Sequence, residues 1–358
     1  MNHIETSDCF QHFGYEDFDP NRIESPYPTV CPIAGCSTKL VNIPHRRGTR
    51  PFCPTHGIRL HSNTFVYWNG IDHQDEARLR NFRVRADLAG EIALGSVEKA
   101  ESHRLGYEMS EDALSWNVFV SLAEARKLRH VVRFLTGRSI DAEPDLYLWG
   151  NRLINVRGSK LMPFQPLKAV RARLEKGIER FKTEPDVMLV LNRQLLVSIE
   201  AKFGSGNPIA HEGPEEQGQK QKPVDRKGLL KRYYEQATAE TKKIIDPDAI
   251  GEVFHSQLFR NVVFASEMAN GSDWHVVNLV SETQWQKQKK RKDSKQSSSV
   301  NPEPYIRSYL HENHRQCFSY RTWEELHSAL VKDDPDLGPL HTYLRSKSAH
   351  YRRAFDLH

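Results

Sequence analysis

Cysteine is scarce, five in 358 residues, and a chain this long with so few is no disulfide scaffold, which points to a reducing compartment. No apolar run approaches the ~18 residues that a spanning helix requires, and no leader segment with a charged start and an apolar middle is present. The expected location is the cytoplasm, with no membrane partner. Beyond an echo of Glu-Pro-Asp at Glu143–Asp145 and Glu184–Asp186, no internal repeat is found, which excludes a repeat architecture. Acidic excess is also lacking: net charge is +5 and the pI about 8.8, a mild basic balance that suits a polyanionic partner without singling one out. Mean hydropathy of −0.65 with 38% hydrophobic residues is polar but globular, and the length allows one large domain plus a small one.

The few cysteines are not scattered evenly. Cys31 and Cys36 are followed, sixteen intervening residues later, by Cys53-Pro-Thr-His56. Two such knuckles suit tetrahedral Zn²⁺, and four protein ligands close the coordination sphere, which marks a structural ion. His45 and His61 are alternatives to His56 as fourth ligand. The Cys-Pro starts and Gly57 fit tight turns whose amides can point at sulfur. Cys9 and Cys317 lack this spacing and read as ordinary small side chains.

Near the middle, Val187–Leu191 and Leu195–Ala201 are short runs of branched apolar residues separated by Asn192-Arg193-Gln194, the pattern of a hairpin. Alternation sends Val197, Ile199 and Ala201 to one face and Ser198, Glu200 and Lys202 to the other. A three-residue loop pairs Leu191 with Leu195 and sets Asp186 opposite Glu200, about 4.5–5.5 Å apart at Cβ; a two-residue loop would turn Asp186 to the wrong face. Two carboxylates that close can hold Mg²⁺, a hard cation that binds through one or two carboxylates plus substrate phosphate. Lys202 can orient or deprotonate a water, or offset charge developing on phosphate.

Pro185-Asp186, thirteen intervening residues, then Glu200-Ala201-Lys202 resembles the PD-(D/E)XK nuclease superfamily, which includes restriction, repair, transposon-end and defence nucleases. The resemblance implies an α/β fold, a restriction-endonuclease-like mixed sheet flanked by helices, and phosphodiester hydrolysis with Mg²⁺ or Mn²⁺ held by Asp186 and Glu200. It also implies an acidic residue on a preceding helix. Ser110 can cap a helix in which Glu111, Leu114, Val118 and Leu122 share a stripe, so Glu111 is the candidate. Gln257, on a predicted helix Phe254–Ala265, is a loose match to the Gln that some branches place near the metal water. Asp145 starts a similar apolar run but cannot form the tight hairpin with Glu200, and reads as a turn before another strand.

A helix predicted over Leu167–Lys182 puts Lys168, Arg171, Arg173, Lys176, Arg180 and Lys182 outward, where they could hold phosphates. Residues 204–227 read as a long loop beside the site, and 286–300 as a basic flexible loop. Trp274–Val280 reads as a strand, and helices are expected around Trp323–Leu326 and Leu340–Leu344.

The organisation expected is a zinc-binding, ribbon-like module over residues 1–80 and a nuclease domain over 81–358. The expected function is Mg²⁺-dependent cleavage of DNA in restriction or anti-phage defence. A repair or transposon-end nuclease, or a non-catalytic nucleic-acid adaptor on a nuclease-like fold, is the alternative. A homodimer would give double-strand cleavage from one site per chain, and a defence-system protein is a further expected partner.

Overall fold

In the computed structural model of the protein, the described residues are 17–19, 22, 29–45, 48–61, 64–69, 74–95, 105–153, 162–178, 182–203, 226–246, 255–282, 303–350 and 357. Cys9, the basic loop at 286–300 and nearly all of the loop predicted at 204–227 lie outside them. The chain divides into two units, residues 1–125 with 327–358, and residues 126–326.

The first unit is built on an antiparallel sheet of β1 (Val41–His45), β2 (Gly48–Cys53), β3 (Ile58–His61) and β4 (Thr64–Tyr67), in that order. Helices α1 (Gln74–Leu79), α2 (Ala86–Gly95) and α3 (Glu111–Glu124) follow. Ser110 caps α3 as expected, its hydroxyl accepting from Ala113 N at 3.2 Å, and Glu111 and Asp112 stand in the first turn, where the helix dipole favours them. The expected stripe of Leu114, Val118 and Leu122 is buried, but so are Ser115, Trp116, Asn117 and Phe119, so α3 is a core helix rather than an amphipathic one. Its polar members are satisfied: Trp116 Nε1 donates to Val84 O at 2.6 Å, and Asn117 Nδ2 to Asn81 O at 3.0 Å.

The helix Gly338–His350 belongs to this unit. It carries Lys347, whose ammonium is wholly buried against Glu108, with Nζ 2.5 Å from Oε1 and a second bond to the Glu108 carbonyl. Breaking a buried pair strands the remaining charge. Lys347→Met should therefore destabilise this unit by about 3–5 kcal/mol in chemical denaturation, with much of the loss recovered in a Glu108→Leu, Lys347→Met double variant; a single-variant loss within error of wild type would count against the pair.

The second unit holds a seven-stranded mixed sheet. Its strands are β5 (Asp145–Leu148), β6 (Asn151–Arg152), β7 (Met162–Pro163), β8 (Val187–Leu191), β9 (Leu195–Ala201), β10 (Asp273–Val280) and β11 (Phe318–Thr322), ordered β11-β10-β9-β8-β5-β6-β7. β10 runs parallel to both β9 and β11, and the remaining pairs are antiparallel. Helices α4 (Leu128–Thr136), α5 (Gln165–Leu174), α6 (Arg226–Gln236) and α7 (Ser256–Ala269) belong to the same unit. α7 packs on β9 and β10 and is itself flanked by α5 and α6, whereas α4 packs on β10 and β11. Leu196, Met188, Leu258, Val262, Val263 and Val276 meet in the core beneath α7.

Two expectations are modified. All of β9 is buried, so the face bearing Ser198 and Glu200 is covered as well as the apolar one, because a central strand paired in parallel takes helices on its faces. The helix from Leu167 ends at Leu174, well short of Lys182, because Glu175 leaves helical geometry and Gly177 takes φ +80°, a left-handed stop that glycine adopts without strain. The predicted helices at Trp323–Leu326 and Leu340–Leu344 form, but the first closes the second unit whereas the other lies in the first.

Candidate active site and metal centre

The β8–β9 hairpin has the register that an odd-numbered loop demands: Leu191 pairs with Leu195, and the ladder runs to Val187 opposite Ile199. Arg193 takes φ +53° at the tip, a turn position that a non-glycine residue occupies at modest cost. One step beyond the last pair, Asp186 Oδ2 accepts the Ala201 N–H at 2.9 Å. Asp186 is thereby fastened beside Glu200 on the neighbouring strand.

Asp186 is also held from behind. Trp149 and Gly150 take φ +49° and +73°, the two-residue turn with both φ positive that matches strand twist, and it joins β5 to β6. From this turn Trp149 N donates to Asp186 O at 3.2 Å. A Cβ at Gly150 would lie 2.8 Å from Leu167 Cδ2 and would push that side-chain methyl aside, so glycine suits the position chiefly for its positive φ. The approach to Asp186 is tied by Glu175, whose buried carboxylate accepts Thr183 N at 2.7 Å, Thr183 Oγ1 at 2.5 Å and Tyr233 Oη at 3.1 Å. Burial and the Glu175 charge push the Tyr233 phenol up to about 12, which keeps its proton in place as a donor.

Glu200 is 2% exposed, and burial at that depth is tolerated only with partners. Lys202 Nζ lies 2.5 Å from Oε1. Gln257 Nε2 donates to the same oxygen at 2.5 Å, and Asn261 Nδ2 to Oε2 at 2.8 Å. Gln257 and Asn261 stand one turn apart on α7, which directs both amides at one carboxylate. Lys202 is anchored at its backbone, where its N–H donates to Leu279 O at 2.8 Å and its carbonyl accepts Trp323 Nε1 at 2.9 Å. The second unit thus assembles Asp186, Glu200, Lys202, Gln257 and Asn261 at the C-terminal end of β9. Asn261 escaped the sequence reading, although its position four residues after Gln257 was the available signal.

The other candidates fall elsewhere. Glu111 belongs to the first unit, half-buried in the first turn of α3. Asp145 opens β5 opposite Val190, at the far end of β8 from Asp186, and is paired with Arg152. Of the cationic helix, Arg171 donates to Thr183 O at 2.6 Å and lies 3.5 Å from Glu184, while Arg173 is paired with Glu267. Those two arginines brace the approach to Asp186 and the α7 contact; Arg171 is half-buried, which corrects its outward reading, whereas Arg173, Lys168, Lys176 and Lys182 are exposed as expected, and Arg180 lies outside the described residues.

In the first unit, Cys31, Cys36, Cys53 and His56 bring their donor atoms within 4.8 Å of one another. The separations are 3.5 Å from His56 Nδ1 to each of Cys31 and Cys53 Sγ, and 3.9 Å between Cys36 and Cys53 Sγ. A tetrahedral Zn²⁺ with Zn–S about 2.3 Å and Zn–N about 2.0–2.1 Å requires about 3.8 Å between sulfurs and about 3.6 Å from sulfur to nitrogen, so this quartet could bind zinc with little adjustment. His56, not His45 or His61, joins the cluster. Gly35 and Gly57, at φ +70° and +58°, turn the chain at the two knuckles. Arg22 Nη1 donates to the carbonyls of Cys31, Ile33 and Cys36 at 3.2, 2.8 and 3.0 Å, and Arg80 to those of His56 and Gly57 at 2.6 and 3.2 Å; these clamps fix the ligand loops. The hydrogen bond between Cys31 and Cys53 lowers the Cys53 thiol and, with burial, raises that of Cys31. The cluster is therefore disposed to carry the thiolate charge that a divalent cation neutralises.

Comparison with known families supplies one further observation. Residues 173–347 match the family model described as Restriction Endonuclease associating with ARP. The match begins within α5, spans the whole Asp186–Lys202 hairpin and α7, and supports a restriction-endonuclease-like family for a little under half of the chain. No curated protein and no solved structure matches. Among the described residues, no helix is long and apolar enough to cross a membrane.

Proposed function

We propose that this protein is a metal-dependent endonuclease that hydrolyses DNA phosphodiester bonds, with a zinc-binding module over residues 1–80 and a nuclease domain over 81–358. The observation that carries the reading is the fastening of Asp186 beside Glu200, with Lys202 on the same Glu200 oxygen as Gln257. Asp186 and Glu200 offer hard oxygen donors on adjacent strands, the set that Mg²⁺ or Mn²⁺ prefers. When bound, the ion would neutralise phosphate charge and acidify a water for attack at phosphorus.

The chain's own groups prepare the rest. Gln257 and Asn261 fix the orientation of Glu200, so a donor displaced by a ligand leaves the carboxylate aligned. Lys202 would orient the attacking water and stabilise negative charge on the phosphate oxygens as the P–O bond to the leaving strand breaks. The family description supports a role in restriction or defence, and its words "associating with ARP" support a partner protein, with a homodimer as the arrangement for double-strand cuts.

Supercoiled and linear DNA, modified and unmodified, incubated with the purified protein should be nicked or linearised with Mg²⁺ or Mn²⁺ and left intact when EDTA is added. Folded, zinc-loaded protein that cuts none of these substrates with either metal would defeat the reading.

A further inference from the structure

Between Glu24 and Asp72 the sequence contains no Asp or Glu, yet it carries Lys39, Arg46, Arg47, Arg50 and Arg59. The strand register brings two of these to one face of the first unit's sheet. Ile43 pairs with Arg50, Phe52 with Arg59, and Arg59 with Val66. Directly paired residues share a face and side chains alternate, so Arg50 and Arg59 stand on the same side, joined by His45 at the end of β1 and His61 at the end of β3. Arg59 lies over Trp68, its guanidinium carbon 4.3 Å from the ring centroid. Val41, on the same face of β1, is exposed, and Arg50, His45, His61 and Trp68 are half-exposed.

Three other arginines of this unit are engaged differently. Arg22 and Arg80 hydrogen-bond the carbonyls of the zinc knuckles, and Arg85 is paired with Asp87 and Glu124. Arg50 and Arg59 make no ion pair with any described carboxylate, and the Nε of each is buried with no hydrogen-bond partner. Arg59 is only 8% exposed. A guanidinium withdrawn from water without a counter-charge is costly, and a second cation beside it raises the cost. Burial chiefly holds the Arg59 pKa below its ordinary value, with Tyr107 opposing and Arg50 adding to it, and burial followed by Arg50, His45 and Arg59 does the same for His61. Arg50 and Arg59 stand on one face, and no carboxylate among the described residues pairs with either.

We propose that the open margin of this face, where half-exposed Arg50 shares a side with Val41 and His45 while Ile43, Phe52, Val66 and most of Arg59 are buried, is a contact surface for the phosphate backbone of duplex DNA. A polyanion supplies the missing counter-charge at several points at once, and phosphate contacts position a protein on the duplex without reading sequence. Arg50 takes a phosphate directly. Arg59 lends its charge from beneath Trp68. The proposal rests on the DNA-nuclease reading of the second unit, which it deepens by assigning the first unit a share in holding the substrate.

The test uses the full chain with Asp186→Ala, so that binding is measured without cleavage, and a short fluorescent DNA duplex as probe. Adding Arg50→Gln or Arg59→Gln should weaken binding about five- to tenfold near physiological salt and lower the slope of log K against log salt by about one. Zinc content and melting should stay unchanged. Should Arg59→Gln lose its zinc, the half-exposed Arg50→Glu carries the test alone. Zinc-loaded Arg50 variants with unchanged affinity and slope would overturn the proposal, as would failure of the parent protein to bind duplex even at low salt, or equal displacement of the duplex by polyglutamate. Cleavage separates the two readings: DNA cutting by the Arg50 variant with unchanged binding refutes the surface alone, and arginine-dependent binding by a protein that never cuts refutes the nuclease alone.

Discussion

Asp186→Ala and Glu200→Ala should each reduce metal-dependent DNA cleavage by about 10³-fold or more, because losing a metal-holding carboxylate removes several kcal/mol of transition-state stabilisation and each ~1.4 kcal/mol is a decade in rate. The two variants differ in stability. Asp186 is half-exposed and its side chain accepts the Ala201 amide, so its removal should cost less stability than that of buried Glu200. Glu200 accepts from Lys202, Gln257 and Asn261 in a buried setting, and its truncation leaves those donors without their acceptor, each at about 1–3 kcal/mol. Glu200→Gln, which keeps the shape, is the fairer probe of chemistry there. Lys202→Met leaves the Glu200 carboxylate with its two amides and no ammonium, so both activity and stability should fall. Wild-type cleavage rates in purified Asp186→Ala or Lys202→Met protein would remove those residues from the site.

Loss of the zinc cluster should have the largest effect on folding. Structural Zn²⁺ contributes about 10–16 kcal/mol in small metal-folded peptides, comparable to or above the whole stability of a typical domain, about 5–15 kcal/mol. Cys53 is fully buried, lies beside both Cys36 Sγ and His56 Nδ1, and ends β2 at the turn that delivers His56. Cys53→Ala should therefore abolish zinc binding and the cooperative unfolding of the first unit. Purified wild-type protein should carry about one Zn²⁺ per chain, released by thiol modification. A Cys53→Ala protein that melts like wild type, or wild-type protein isolated with reduced thiols and no zinc, would show that the quartet does not fold around metal. Because Asp186 and Glu200 lie in the other unit, loss of zinc with retained cleavage would show that the two units work separately.

Much of this was legible from local pattern. The hairpin was legible around Asn192-Arg193-Gln194, but its register depended on loop parity, and the observed pairing of Leu191 with Leu195 is the odd-numbered case. The Ser110 cap was readable because capping is chemistry between neighbours. The knuckle spacing marked the cysteines for the same reason, yet it left three histidines open as fourth ligand. Choosing His56 needed the turn between β2 and β3 and the arginines that grip it. Helix length was misjudged at Leu167–Lys182, where the apolar period continued past a point at which Gly177 had already turned the backbone.

What the sequence by itself determined, then, was the identity and spacing of the reactive groups: carboxylates placed to meet across a short hairpin, a lysine on the same strand, and sulfur and imidazole at knuckle intervals. Those follow from residue identity and from periods and spacings within one hairpin or one pair of knuckles. Only the tertiary structure decided that Asn261 joins Gln257 on Glu200, that Trp149 holds the Asp186 carbonyl, that Arg171 and Arg173 brace the fold, and that Arg50 and Arg59 share a face with no carboxylate among the described residues to answer them. Each of these joins elements distant in the chain or compares a charge with everything packed around it. Burial and long-range pairing set those energies, and neither is a property of a local run of residues.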